Sequence, residues 1–168
     1  SLQETEELYS KLIAAIPDIV VRTDVTGQVV FVNNVALQLG GYQRAEIQGK
    51  NLLEFIAPED QESAVENFGL MFKHKLGPRE YSLVMKDGEK IPFEINSDVL
   101  RRNDGSVYGT VNICRDISNR LQAEEALRES EKQYRLLVEN ANDAIFIAQD
   151  GKIKFPNPRT MEILGFAK

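Results

Sequence analysis

Leu2, Thr5, Tyr9, Leu12 and Ile16 follow one another at intervals of three, four, three and four. That spacing is the a/d seam of an amphipathic helix, and Pro17 disfavours helix at Ile16 and closes it. The period then changes. Residues 18–24 are rich in β-branched side chains and read as a strand, Thr26-Gly27 supplies a turn, and residues 28–33 read as the return strand of a hairpin. Residues 34–48 read as short helical turns, broken at Gly40-Gly41 and Gly49. Pro58-Glu59-Asp60 opens a longer helix, whose apolar face is expected to hold Ala64, Val65, Phe68, Met71 and Phe72. Lys73, His74 and Lys75 end that helix with positive charge, and Gly77-Pro78 stops it. Three strand-like runs follow, at about 79–86, 90–101 and 106–116, parted by the hairpin signals Asp87-Gly88 and Asp104-Gly105. Asn119 to Asn140 contains neither Gly nor Pro and reads as one long helix, which Asp116 or Ser118 can cap. Within it Ala123, Leu127, Ser130, Tyr134 and Leu137 repeat the seam of the first helix.

The chain also repeats itself. Residues 2–42 lie on residues 127–166 with one single-residue gap. Leu2, Glu4, Glu6, Tyr9, Leu12 and Asp18 meet Leu127, Glu129, Glu131, Tyr134, Leu137 and Asp143. Beyond the gap Gly27, Phe31, Asn33 and Gly41 meet Gly151, Phe155, Asn157 and Gly165, and Tyr42 meets Phe166. The period of about 125 residues is the size of a domain, not of a solenoid unit. The second array stops at Lys168, directly after its Leu164-Gly165-Phe166 element, and is expected to be the opening of a second copy.

Composition narrows the function classes. With 42% hydrophobic and 27% charged residues, the 168-residue chain reads as globular. A net charge of −6 argues against a nucleic-acid or anionic-membrane surface. No apolar run approaches the ~20 residues that span a bilayer, and a cytoplasmic compartment fits, with any membrane anchor placed elsewhere in a parent protein. One cysteine, Cys114, allows no intrachain disulfide or cysteine zinc site, and one histidine, His74, allows no two-histidine metal motif. No catalytic constellation is visible.

Taken in order, several motifs resemble the PAS family. They are Ile16-Pro17-Asp18, Asp24 with Gly27, Phe31-Val32-Asn33, Leu39-Gly40-Gly41-Tyr42, residues 55–60, Lys86-Asp87-Gly88 and the terminal Asp116-Ile117-Ser118. The resemblance covers about residues 10–118. It implies an α+β fold: a five-stranded antiparallel sheet with helices over one face, flanked by the N-terminal helix and a C-terminal signalling helix. The expected organisation is a helix at 1–17, a PAS domain at 18–118, a linker helix at 119–140 and the start of a second PAS domain at 141–168. The implied role is sensing or dimerisation, not catalysis.

The family's flavin photosensors carry their reactive cysteine on a short helix, but residues 49–55 here contain none, which excludes that photochemistry. Cys114 falls where those photosensors hold a flavin-contacting glutamine, so the resemblance points it inward. Asn112 and Thr110 then face inward by strand alternation. The same resemblance brings in Phe93, Ile95 and Ser97, then Tyr81, Leu83 and Met85, and Val21 and Thr23 from the first strand. This set has the make-up of a small-molecule pocket, or of a core that binds nothing. Oxygen-sensing relatives place a haem-ligating histidine close to the position of His74. A cation-rich helix end explains His74 more simply, so the cofactor is left unknown and none is the leading expectation.

Together these features predict a sensory module that reads a small ligand or partner. Asp116, Ile117 and Ser118 would relay the signal into the linker helix and on to an output domain in the same chain, a histidine kinase ahead of a diguanylate cyclase. The shared seams predict a homodimer through the amphipathic helices. A ligand-free dimerisation or protein-interaction module is the alternative.

Overall fold

The structure, a computed structural model, describes residues 2–165. Phe166, matched with Tyr42 in the repeat, lies outside the described residues, as does the side chain of Leu2. The chain divides into two compact units, Ser1–Ser118 and Asn119–Lys168.

The first unit begins with helix α1 (Leu2–Ala15). Strands β1 (Ile19–Thr23) and β2 (Val29–Val32) make the expected hairpin. Helices α2 (Asn34–Gly40) and α3 (Arg44–Ile47), two 3₁₀ turns at Leu52–Phe55 and Pro58–Asp60, and helix α4 (Gln61–Leu70) follow. Strands β3 (Arg79–Val84), β4 (Lys90–Arg101) and β5 (Val107–Asp116) then form a meander. The sheet order is β2-β1-β5-β4-β3 and every pairing is antiparallel. β5 is therefore central, and the start of β1 lies beside the end of β5, with Ile19 opposite Cys114 and Val21 opposite Asn112.

Aspartates set the turns between strands. Asp24 accepts the backbone N–H groups of Thr26 and Gln28 at 2.8 and 3.0 Å, Asp87 that of Glu89 at 2.9 Å, and Asp104 that of Ser106 at 2.8 Å. Each turn also needs a residue at positive φ, supplied by Gly27, Gly88 and Gly105. Gly109 has another role. A Cβ there would lie 2.1 Å from the carbonyl oxygen of Thr23, so only glycine lets β1 dock on β5 at this point.

The core packs one face of the sheet against α2, α3 and α4. Phe93, Val29, Val32 and Cys114 are among its most buried side chains, and burying each larger apolar group is worth ~1.5–3 kcal/mol. The fourth helix departs from its sequence pattern. Pro58 opens a 3₁₀ turn instead of the helix proper, and α4 ends at Leu70, so Met71 and Phe72 lie in the turn beyond it. Val65, expected on the apolar face, is exposed. A helix this short has room for only one core-facing row, and Ala64 and Phe68 occupy it.

The second unit contains most of helix α5 (Ser118–Glu139), strands β6 (Ile147–Gln149) and β7 (Lys152–Lys154), and helix α6 (Pro158–Leu164). The internal repeat is visible in its hydrogen bonds. In the first unit Asn33 caps α2: its Oδ1 accepts from the N–H groups of Ala36 and Val20 at 3.3 and 3.1 Å, and its Nδ2 donates to the Asp18 carbonyl at 3.0 Å. In the second, Asn157 caps α6: its Oδ1 accepts from Thr160 and Ile145, both at 2.9 Å, and its Nδ2 donates to the Asp143 carbonyl at 3.0 Å. The partners correspond residue by residue, and Gly41 and Gly165 end the two helices at φ 71° and 73°.

Candidate functional site

A cavity of about 110 Å³ lies between the sheet and the helices of the first unit. Strand alternation brings Val21, Tyr81, Leu83, Met85, Ile95, Ser97, Asn112 and Cys114 to its wall, all of them positions singled out from the sequence. Thr23, Thr110 and Phe93, singled out with them, do not line it. Thr23 and Thr110 face inward but sit further along the strands, their hydroxyl oxygens 2.7 Å apart and fully occupied with each other and their neighbours. Phe93 is 1% exposed and packs within the core cluster.

The helical side contributes walls that alternation could not reveal. Tyr42 and Phe55 pack edge to face with ring centroids 5.4 Å apart, and Phe68, Met71 and Asn67 close the side nearest α4. Asn67 Nδ2 donates to the Tyr81 hydroxyl at 2.8 Å, tying α4 to β3 across the cavity. The Tyr42 hydroxyl donates to the Val84 carbonyl at 3.2 Å, and burial, aided by the negative charge of Glu46, pushes its pKa up so that the phenol keeps its proton. One lining residue lies in plain continuation of a pattern already read. Alternation back from Tyr81 reaches Arg79, which stands opposite Ile95 and also lines the cavity.

Polar groups inside the wall form a directed chain. The Ser97 hydroxyl donates to Asn112 Oδ1 at 2.7 Å, and Asn112 Nδ2 donates to Thr110 Oγ1 at 2.9 Å. The Thr23 hydroxyl donates to the Asp24 carbonyl at 2.9 Å, so the Thr110 hydroxyl must donate to Thr23. Among the described residues no buried side-chain N or O atom lacks a partner. The Cys114 thiol is buried, and that burial, with the charge of Asp18 behind it, pushes its pKa up to about 12. It is therefore a neutral packing group and a poor nucleophile.

His74 lies in the exposed turn after α4 and does not line the cavity. Its backbone N–H donates to the Leu70 carbonyl at 2.9 Å, which helps close the helix. The position suits a solvated helix end and does not suit an axial ligand inside this cavity. Among the described residues no group of three or more His, Cys, Asp or Glu could hold a metal ion, and no helix is long and apolar enough to cross a membrane.

β5 carries Asn112 and Cys114 on the cavity face and ends at Asp116. The Asp116 carboxylate accepts the Ser118 N–H at 2.8 Å, at the first turn of α5. Ile117 is buried, and its N–H donates to the Pro92 carbonyl at 3.1 Å, fixing the strand end to β4.

A five-stranded antiparallel sheet with helices over a small apolar cavity is a single-sheet α+β domain, and matches to known proteins identify its family. A family model described as PAS domain matches residues 17–119, and a second PAS-domain model matches residues 132–167. The chain belongs to the PAS domain family. It is similar to sporulation kinase A of Bacillus subtilis, with 28% identity over 152 residues; those residues are 89% of this chain but 24% of that protein. In fold it is similar to the PAS domain of a protein from Colwellia psychrerythraea, with a TM-score of 0.63, 21% identity, and coverage of 68% of this chain and 98% of that one. It is likewise similar to the PAS domain of an HTR-like protein from Haloarcula marismortui, with a TM-score of 0.59, 23% identity, and coverage of 69% and 94%.

Proposed function

We propose that the first PAS unit is a ligand sensor that passes its state along β5 into α5 and so to an output domain of a larger signalling protein. The observation that carries this is one strand with two duties. β5 presents Asn112 and Cys114 to the cavity and Asp116, Ile117 and Ser118 to the start of α5. A ligand shifts such a junction only by binding one of its arrangements better than the other.

The similarity to a sporulation kinase supports a kinase as the output, most naturally a histidine kinase, with a diguanylate cyclase as the runner-up. Tyr9 and Leu12 on α1, and Leu127, Tyr134 and Leu137 on α5, are exposed seam positions, which supports a parallel homodimer through these helices. The acidic balance of the chain, −6 at pH 7, supports a cytoplasmic setting for this unit.

The test is native mass spectrometry and sedimentation of the chain purified from its own host, followed by amide hydrogen exchange of the first turn of α5. A retained small molecule whose removal changes exchange at Ser118–Leu121 is the expected result. An empty cavity in a stable dimer, with exchange in α5 indifferent to every small molecule tried, would make this an interaction module instead. An absorption spectrum from 300 to 700 nm after reconstitution with haem is expected to show no band that depends on His74; loss of a Soret band in His74→Ala would reverse that.

A further inference from the structure

The cavity has two chemically different ends. Inside, its wall is mostly aliphatic and aromatic, and its polar side chains, Ser97 with Asn112 and Asn67 with the Tyr81 hydroxyl, are already bonded within the protein. At its outer end Gly77 and Arg79 are exposed, where the rest of the lining is buried or half-buried. Arg79 shares the cavity face of β3 with Tyr81 and Leu83, while Glu80 falls on the opposite face, across from Glu94.

The guanidinium of Arg79 is nearly uncommitted. Its Nη1 donates to the Pro78 carbonyl at 3.4 Å, beyond the usual range for a good hydrogen bond. No ion pair among the described residues uses it. The turn that leads to Gly77 adds Lys73 and Lys75, both exposed, so a chain of net charge −6 gathers cations near this mouth.

We propose that the cavity takes a short-chain aliphatic monocarboxylate, with its tail inside and its carboxylate held by the Arg79 guanidinium at the mouth. This rests on the cavity being a ligand site. A planar guanidinium matches a carboxylate two-point, which a lysine does not. At about 110 Å³ the space is smaller than the ~150 Å³ that accepts a benzene-sized molecule, so a tail of roughly four or five carbons fills it. An amine head would meet like charge at the mouth. A second carboxylate on the tail would be unpaired in an apolar interior.

The test is isothermal titration calorimetry and amide NMR of the 168-residue chain with hexanoate, decanoate, hexan-1-ol and hexylamine, repeated on Arg79→Gln. Hexanoate is expected to bind and shift the amides of Asn112 and Cys114, with hexan-1-ol and hexylamine at least about tenfold weaker. Arg79→Gln, a surface change, should bring hexanoate down to the level of the alcohol. Hexanoate binding that survives Arg79→Gln, or decanoate binding as tightly as hexanoate, would overturn the proposal. Hexan-1-ol binding as tightly as hexanoate with the same amide shifts would overturn it too, while leaving the cavity a ligand site. No shift at Asn112 or Cys114 with any of these compounds would count against both.

Discussion

The β1–β2 hairpin and the β6–β7 hairpin are tied off by the same asparagine clasp, yet their side chains meet opposite fates. Val20 and Val21 are 6% and 5% exposed, whereas their counterparts Ile145 and Phe146 are 40% and 47% exposed. Phe155, the counterpart of Phe31, is 77% exposed. The clasp needs only residues within about twenty positions of one another, so it forms wherever that stretch is present. Burial needs β5, which arrives about ninety residues later in the first unit and has no counterpart among the described residues of the second. Local hydrogen bonding shapes the hairpin, and non-local docking makes it part of a core.

Changes that separate these two contributions test the distinction. The largest effect is expected from Gly109→Ala, whose new methyl group meets the Thr23 carbonyl and pushes β1 off β5. A loss of about 3 kcal/mol in denaturant unfolding is expected, as for a severe overpacking clash. Amide exchange at Val20 and Val21 should rise toward that at Ile145 and Phe146.

Next is the paired test of the clasp. Asn33→Ala leaves the buried Val20 N–H without its side-chain acceptor and removes a helix cap, for about 2–3 kcal/mol. Asn157→Ala removes the same bonds from a side chain that is just as buried, 3% exposed against 5%, so a similar local loss of about 2–3 kcal/mol is expected. A much smaller loss at Asn157 would show that docking, not the clasp, carries the hairpin.

A smaller contrast comes from polar substitution. Phe155→Ser is expected to change the melting temperature little and to raise solubility, since the ring is already in solvent. Val32→Ser, in the buried hairpin, should cost about 2 kcal/mol.

The smallest effect is on pH. The Cys114 thiol has a folded pKa of about 12 against an ordinary value of 9.0. Its contribution to stability is therefore intact below pH 9 and declines as pH climbs from there toward 12, because the unfolded chain releases the proton first. A Cys114→Ala variant should lose this part of the alkaline decline. At pH 8 the native thiol should react with a disulfide reagent only as fast as β1 and β5 separate, and immediate labelling would contradict the docking seen here.

The elements themselves were legible because period and turn chemistry are local. Alternation in 79–86, 90–101 and 106–116, with Asp-Gly between, left little freedom for the meander. The cavity was legible only in part. Alternation tells which face a side chain takes, not how far along the strand the free space lies, so Thr23 and Thr110 were grouped with residues they resemble in direction alone. Phe93 shares the face but fills it. Arg79 could have been found by extending the Tyr81 file by one step; its charge argued against an inward set. Tyr42, Phe68 and Met71 depend on how α2–α4 settle over the sheet, and no spacing in the sequence encodes that. Val65 shows the same limit, since its apolar character matched a helix face that the short α4 does not bury.

The ion pair between Arg115 and Asp18, with Nη2 and Oδ2 3.0 Å apart, marks where the first unit opens and closes its path. Ile19 and Cys114 face each other there, so the chain arrives and departs at one corner of the sheet. Tension applied through the two flanking helices would pull β1 and β5 apart from that corner, breaking their hydrogen bonds one after another as a zip opens. The same layout lets a whole globule be spliced in or copied between two helical segments without rerouting either, and a chain built that way lengthens by duplication.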